Sequence, residues 1–197
     1  MNNKFKIRPA NSSDVSFIAE AIIEAEKSGT NILVYSKVYE IEEPVFKVLL
    51  EKMLLEDIEG QEFCLSSFLI IEENQEKAGC CSAWVEGANG MSSWFIKSNL
   101  LATFIPNENL QKAANKSKLL SQVYIERTLG AIQIEAVYVR KKFRGKGYSK
   151  ILITEQARNL KTKNNNLSNI ELIVASNNTI AIKTYEKIGF SKTIEKK

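Results

Sequence analysis

The apolar positions of this chain change period several times, and each change marks an element. "FKIRPA" alternates apolar and polar residues up to Pro9, which predicts a short strand. "NSSD" then supplies helix N-cap candidates, and Val15, Ile18, Ile22 and Ala25 recur at helical spacing until Gly29 stops them. Pro44, a residue favoured in a first helical turn, opens a second helix predicted over residues 44–58 through Val45, Val48, Leu49 and Met53, with Gly60 just beyond it. "SSFLIIEENQEKAGCCSAWVEG" holds two apolar runs around the polar connection "ENQEK", which predicts an antiparallel hairpin over residues 68–85.

The pattern weakens over residues 87–127, where a polar loop, an apolar segment, Pro106 and a helix around residues 107–123 read together as an insertion between strands. Periodicity returns with "GAIQIEAVYV", a long strand, and then with Tyr148, Ile151, Leu152, Ile153, Ala157 and Leu160, the apolar face of a helix. "IELIVA" is a near-continuous β-branched run suited to a buried, parallel strand. A last helix sets Ala181, Tyr185 and Ile188 on one face with Gly189 as its C-terminal cap, and "FSKTIEKK" is expected to add one more strand. No repeat or linker interrupts residues 1–197, so the expectation is one α+β domain with a mixed sheet.

Composition narrows the chemistry. At 197 residues, 44% apolar and 25% charged, the chain can bury a sizeable core. A net charge of +4 is too small for a dedicated nucleic-acid binder, so no nucleic-acid partner is expected. Cys64, Cys80 and Cys81 are odd in number and lack metal-site spacing, which suggests a reduced, cytoplasmic protein without a metal. The N-terminal residues carry no apolar signal-peptide core and no run is long enough to span a membrane. Histidine is absent, so any acid–base chemistry falls to Glu, Asp, Tyr, Lys or backbone.

Charge is nonetheless concentrated in "VRKKFRGKGYSK", residues 139–150, at the junction between the long strand and the helix that follows. A solvated turn, a nucleic-acid patch and a phosphate cradle all fit such a run. A helix N-terminus with glycines offers free N–H groups to an anion, although neither the Walker A spacing nor the third glycine of the dinucleotide fingerprint is present.

Read together, "VYVRKKFRGKGYSKILI" and "NNTIAIKTYEKIGF" resemble the two signature segments of the GNAT superfamily of N-acetyltransferases. The first carries the family's Q/R-x-x-G-x-G/A through Arg144, Gly147 and Ser149, with Ser149 a departure from Gly or Ala; the second matches through Asn178, Ala181, Tyr185, Gly189 and Phe190. "KIRPANSSDVSFIAEAI" is similar to the family's first strand and helix. The resemblance implies a mostly antiparallel central sheet flanked by helices, with residues 87–127 an insertion between the third and fourth strands. The chain stops soon after the expected sixth strand, where many members have a seventh, so that place is either missing or filled by another element, a partner's included; a homodimer stays open.

The resemblance also implies roles. Acetyl-CoA is the cosubstrate and an amine the acceptor. Backbone N–H groups of Arg144, Gly145, Lys146, Gly147, Tyr148 and Ser149 would cradle the CoA pyrophosphate, with the Arg144 and Lys146 side chains in support. Val137 and Val139 match the strand that pairs with the pantetheine arm, and the Val139 N–H would polarise the thioester carbonyl. Asn178 matches a pantetheine contact and is equally a helix cap. Tyr185 matches the general acid, against a reading as a packed ring, and Glu135, four residues before Val139 and on the same face as Val137 by strict alternation, is the candidate base, against a reading as a solvated or salt-bridged strand carboxylate. Trp94 and Phe95 are read as core packing, or else as the wall of an acceptor pocket. A CoA-binding module without turnover is the alternative to an enzyme.

Overall fold

The computed structural model describes residues 5–116, 124–167 and 169–196. Strands β1 (Phe5–Pro9), β2 (Phe68–Glu73), β3 (Glu76–Val85), β4 (Ile132–Val139) and β5 (Ile170–Leu172) form one sheet in that spatial order, antiparallel except for the β4–β5 pair. The predicted hairpin is present, turning through Asn74 and Gln75 with φ of 51° and 66°, the left-handed pair that matches strand twist.

Alternation along the inner strands builds two cores. Phe68, Ile70 and Cys80 face one way, onto α1 (Val15–Glu26) and α3 (Glu43–Leu55), where Ile18, Phe46, Leu50 and Met53 are fully buried. Leu69, Ile71, Cys81, Ile132 and Ile134 face the other way, onto Tyr148, Leu152 and Ile153 of the helix that follows β4. All three cysteines are buried and free, and burial pushes the Cys80 and Cys81 thiols far above their ordinary range, so they pack as small hydrophobes.

Three expectations need correction. The second helix ends at Leu55 rather than 58, because Asp57 turns back at φ 50° and its carboxylate accepts from the Ser66 N–H at 2.7 Å. A short helix, α2 (Val34–Tyr39), was not foreseen; Tyr35 stacks on Phe46 at 5.0 Å and fastens it to the core. The strand expected over 190–197 is not formed by residues 190–196, since β5 pairs for only three residues and Phe190 instead folds back edge-on to Tyr185.

Between β3 and β4 lie α4 (Ser93–Phe104), capped by the Ser92 hydroxyl, and α5 (Asn107–Ala114). The helix predicted over 107–123 is thus present as far as Ala114, and its stretch 117–123 lies outside the described residues. Trp94 and Phe95, read first as core, are both about half exposed. Helices α6 (Tyr148–Lys163) and α7 (Thr179–Ile188) follow β4 and β5.

One buried polar side chain fixes α6 on the sheet. The Gln156 amide donates to the carbonyls of Ser67 at 2.8 Å and Cys81 at 2.6 Å, inside the core. Gln156→Leu removes both bonds, and we expect a loss of about 2 kcal/mol of unfolding free energy. A lower urea midpoint at unchanged slope is the expected result, and an unmoved midpoint would show that the bonds contribute nothing net.

Candidate functional site

Two strands part to make the site. β4 and β5 pair through Ile132–Ile170, Gln133–Glu171 and Ile134–Leu172, and there the ladder stops. Immediately beyond, Ala136 takes φ 47° and the β3–β4 register shifts between Cys80 and Ser82, a bulge in the middle of a strand that reads as regular. Tyr138 lies opposite Cys80 and the Arg140 N–H bonds the Ala78 carbonyl at 2.9 Å, so the N–H and C=O of Val137 and Val139 point away from β3, into the gap.

The bulge overturns one geometric expectation. Val137 and Val139 share the α6-side cluster with Ile132 and Ile134, whereas Ala136 and Tyr138 pack against the α1-side cluster. Glu135, adjacent to Ile134, therefore lies on the opposite face from Val137, because the left-handed Ala136 interrupts the alternation.

The gap opens into a cleft of about 1490 Å³ that runs from the β4–α6 junction to α1, α2 and α4. At the junction a tight turn over Lys141–Phe143 buries the Phe143 ring, and Gly145 and Gly147 follow at φ 80° and 79°. Gly147 leads directly into α6, whose first N–H groups, from Tyr148, Ser149 and Lys150, have no intrahelical acceptor. The Tyr148 ring is buried edge-on to Phe5, so only its backbone is on offer. Side chains are less free than the sequence suggested: Lys146 is ion-paired to Glu73 at 2.7 Å, Lys142 to Glu76, and the Arg144 Nε donates to the Val139 carbonyl at 3.0 Å. Local positive potential rests on the helix end, Arg144 and Lys150.

The opposite wall is α7. The Asn178 Oδ1 caps it by accepting from the Ala181 N–H at 3.1 Å, while its Nδ2 donates to the Ser28 Oγ at 2.9 Å. Gly29, at φ 91°, presses so closely that a Cβ there would lie 2.9 Å from the Asn178 Cβ; the α1–α2 loop thereby arches over to the start of α7. Asn178 is thus a cap and a tie across the cleft. Two turns further, Tyr185 is half-buried, edge-on to Phe190 at 6.1 Å, and its hydroxyl has no hydrogen-bond partner among the described residues. Burial, with Cys81 and Glu135 nearby, raises its pKa well above the ordinary tyrosine value, so the proton stays on at neutral pH.

The far end of the cleft carries, around the expected Glu135, charges that motif reading missed. Lys97 pairs with Glu62 at 2.8 Å, and the Tyr35 hydroxyl donates to the same carboxylate at 2.9 Å. Arg127 binds Glu135 at 2.5 Å and the Gln133 Oε1 at 2.7 Å. Burial and the neighbouring Glu62 push the Glu135 carboxyl upward against the pull of Arg127. Glu26, exposed at the end of α1, lines the same space, and desolvation in the cleft, with the charges of Glu62 and Glu135, raises its pKa to about 7. These residues come from separate elements, which is why no local motif joins them. A faint signal existed in Glu26, one turn after the buried Ile22, and in Lys97, set between the buried Ile96 and Leu100. No cluster with metal-binding composition occurs among the described residues, and no helix among them is long and apolar enough to cross a membrane.

The cleft is therefore electrically polar: a helix N-terminus and cations at one end, a surplus of carboxylates at the other, and between them a strand edge and an unpartnered tyrosine. The family model described as "Acetyltransferase (GNAT) family" matches residues 35–190. Among solved structures, an N-acetyltransferase from Staphylococcus aureus Mu50 superposes with a TM-score of 0.67 at 20% identity, over 97% of this chain and 94% of that one. A GCN5-related N-acetyltransferase from Ralstonia eutropha JMP134 gives 0.57 at 13% identity, over 98% and 96%. An aminoglycoside N-acetyltransferase solved in complex with CoA gives 0.54 at 14% identity, over 97% and 90%. None of the curated proteins matches the chain.

Proposed function

Because this chain belongs to the GNAT family of acetyltransferases, and is thus an acyltransferase, we propose that it moves an acetyl group directly from acetyl-CoA to a primary amine. The observation that carries this reading is the polarity of the cleft, whose two ends suit a phosphorylated acyl donor and an ammonium. CoA complexes of the aminoglycoside N-acetyltransferase neighbour lend support.

Acetyl-CoA supplies an activated acyl carbon and a thiolate leaving group. In our reading the N–H groups from Arg144 to Ser149 receive its pyrophosphate, and the edge of β4 at Val137 and Val139 pairs with the pantetheine arm as an added strand does. The Val139 N–H stabilises negative charge developing on the thioester oxygen. Asn178 holds the start of α7 beside the arm. An amine enters as an ammonium and must lose a proton before it attacks; Glu135 takes it, as burial raises its basicity above that of a solvated carboxylate. The Tyr185 hydroxyl donates a hydrogen bond to the departing sulfur, which solvent protonates after release.

The test is thiol release from acetyl-CoA across a panel of primary amines, with mass detection of the acetylated product. Amine-dependent release is expected, rising with pH as Glu135 ionises. Tight CoA binding without release on any amine would instead identify a binding module.

A further inference from the structure

Counting charges at the acceptor end leaves one over. Lys97 is spent on Glu62 and Arg127 on Glu135, both within ion-pair distance. Glu86, buried nearby, is satisfied by the Trp84 indole N–H at 3.2 Å and the Ser93 N–H at 2.8 Å. Glu24, on the same helix as Glu26, pairs with Lys27 at 3.3 Å. Glu26 has no hydrogen-bond or ion-pair partner among the described residues, and it opens into the cleft.

A second, independent feature points to a cation. Trp94 lies one turn before Lys97 on α4, and with Tyr124, edge-on to it at 6.4 Å, it lines the same cleft; both rings are exposed, at 54% and 42%. The cleft thus offers an ammonium group both open aromatic faces and an unpaired carboxylate. The amine that reacts cannot be that partner throughout, since it must be neutral when it attacks and has already given its proton to a base.

We propose that the acceptor carries two cationic groups, a diamine or larger polyamine, with one amine presented to the acetyl group and a second ammonium held by Glu26 in the cleft that Trp94 and Tyr124 also line. This rests on the acetyl-transfer reading above. The raised pKa of Glu26 agrees with it: the carboxylate sits among like charges that an incoming ammonium relieves.

The test compares n-alkylamines with α,ω-diaminoalkanes of equal length, from about three to six carbons, as acceptors. The wild-type protein is expected to prefer the diamine by about tenfold or more in kcat/KM, the worth of one charge-assisted hydrogen bond. In Glu26→Gln that preference should collapse to a few-fold, whereas Glu135→Gln should slow both acceptors and leave the preference in place. Equal use of mono- and diamines by the wild type, or a preference that survives Glu26→Gln, overturns the inference while acetyl transfer stands. Calorimetric titration of the CoA-loaded protein with diamine separates the two readings: binding that Glu26→Gln abolishes, with no acetylated product from any amine, upholds the two-cation site and sinks acetyl transfer. The wild-type comparison alone decides the matter if the variant does not fold.

Discussion

Gly147→Val is expected to weaken CoA binding by about two orders of magnitude while leaving the fold intact. At φ 79° the residue before α6 is in a region that a β-branched side chain enters only at a cost, roughly 1–2 kcal/mol. A Cβ at this position meets nothing within 4 Å, so the substitution brings no clash of its own in the free protein. The damage is expected at the ligand: a side chain at the start of α6 crowds the N–H groups proposed to receive the pyrophosphate. Losing one charge-assisted hydrogen bond costs about 1.5–3 kcal/mol, which at its upper end is a loss on the order of 100-fold, while the backbone strain is borne by free and bound protein alike. Lys141→Ala and Lys142→Ala should cost only a few-fold, because Lys142 is already occupied by Glu76 and both are exposed. Calorimetric titration with CoA decides it, with thermal unfolding as the control. Wild-type affinity in Gly147→Val would remove the phosphate cradle from residues 144–149.

The junction was legible because its chemistry is local: glycines, a preceding strand and a following helix lie within one stretch, and left-handed glycine is read from residue type alone. The same holds for α7, where Asn178 and Gly189 mark the ends and Tyr185 falls between them. What escaped is what depends on partners distant in sequence. "IEAVYV" gives no sign that Ala136 turns left-handed, since a bulge is set by how β4 fits β3 and by the parting from β5; one such residue moved Glu135 to the other face. The carboxylate surplus at the far end of the cleft is likewise a sum over α1, α4, β4 and the connections before β2 and β4. The short helix α2 failed for a different reason: Val34, Tyr35, Val38 and Tyr39 do recur at helical spacing, but six residues are too few for periodicity to separate from chance, and only stacking on Phe46 holds them. The missing strand after α7 shows the converse, a passable alternating pattern with too short a partner edge to pair with.

Tyr185→Phe is expected to lower kcat by roughly 100- to 1000-fold, the range of a positioned acid, with little change in the KM for acetyl-CoA or in stability. The ring is what packs: it meets Phe190 edge-on at 67° and touches the α6-side core, and phenylalanine keeps both contacts. The hydroxyl, by contrast, has no partner among the described residues and lines the cleft, so its removal leaves no buried group unsatisfied. Its raised pKa bears on how it acts. A tyrosine above its ordinary value of about 10 is a weaker acid than a thiol near 8.5, so complete transfer to the thiolate runs uphill. The gain comes from a hydrogen bond that strengthens as charge builds on sulfur, with solvent completing the protonation after release. Two consequences follow for the pH profile of kcat. Tyr185 imposes no alkaline fall below about pH 10, and the deficit of the phenylalanine variant is constant across the range in which the wild type keeps its phenol proton. A variant that retains wild-type turnover would make Tyr185 a packing residue only; one whose deficit vanishes at high pH would show instead that the phenol proton is lost there and that ionisation, not burial, governs the site.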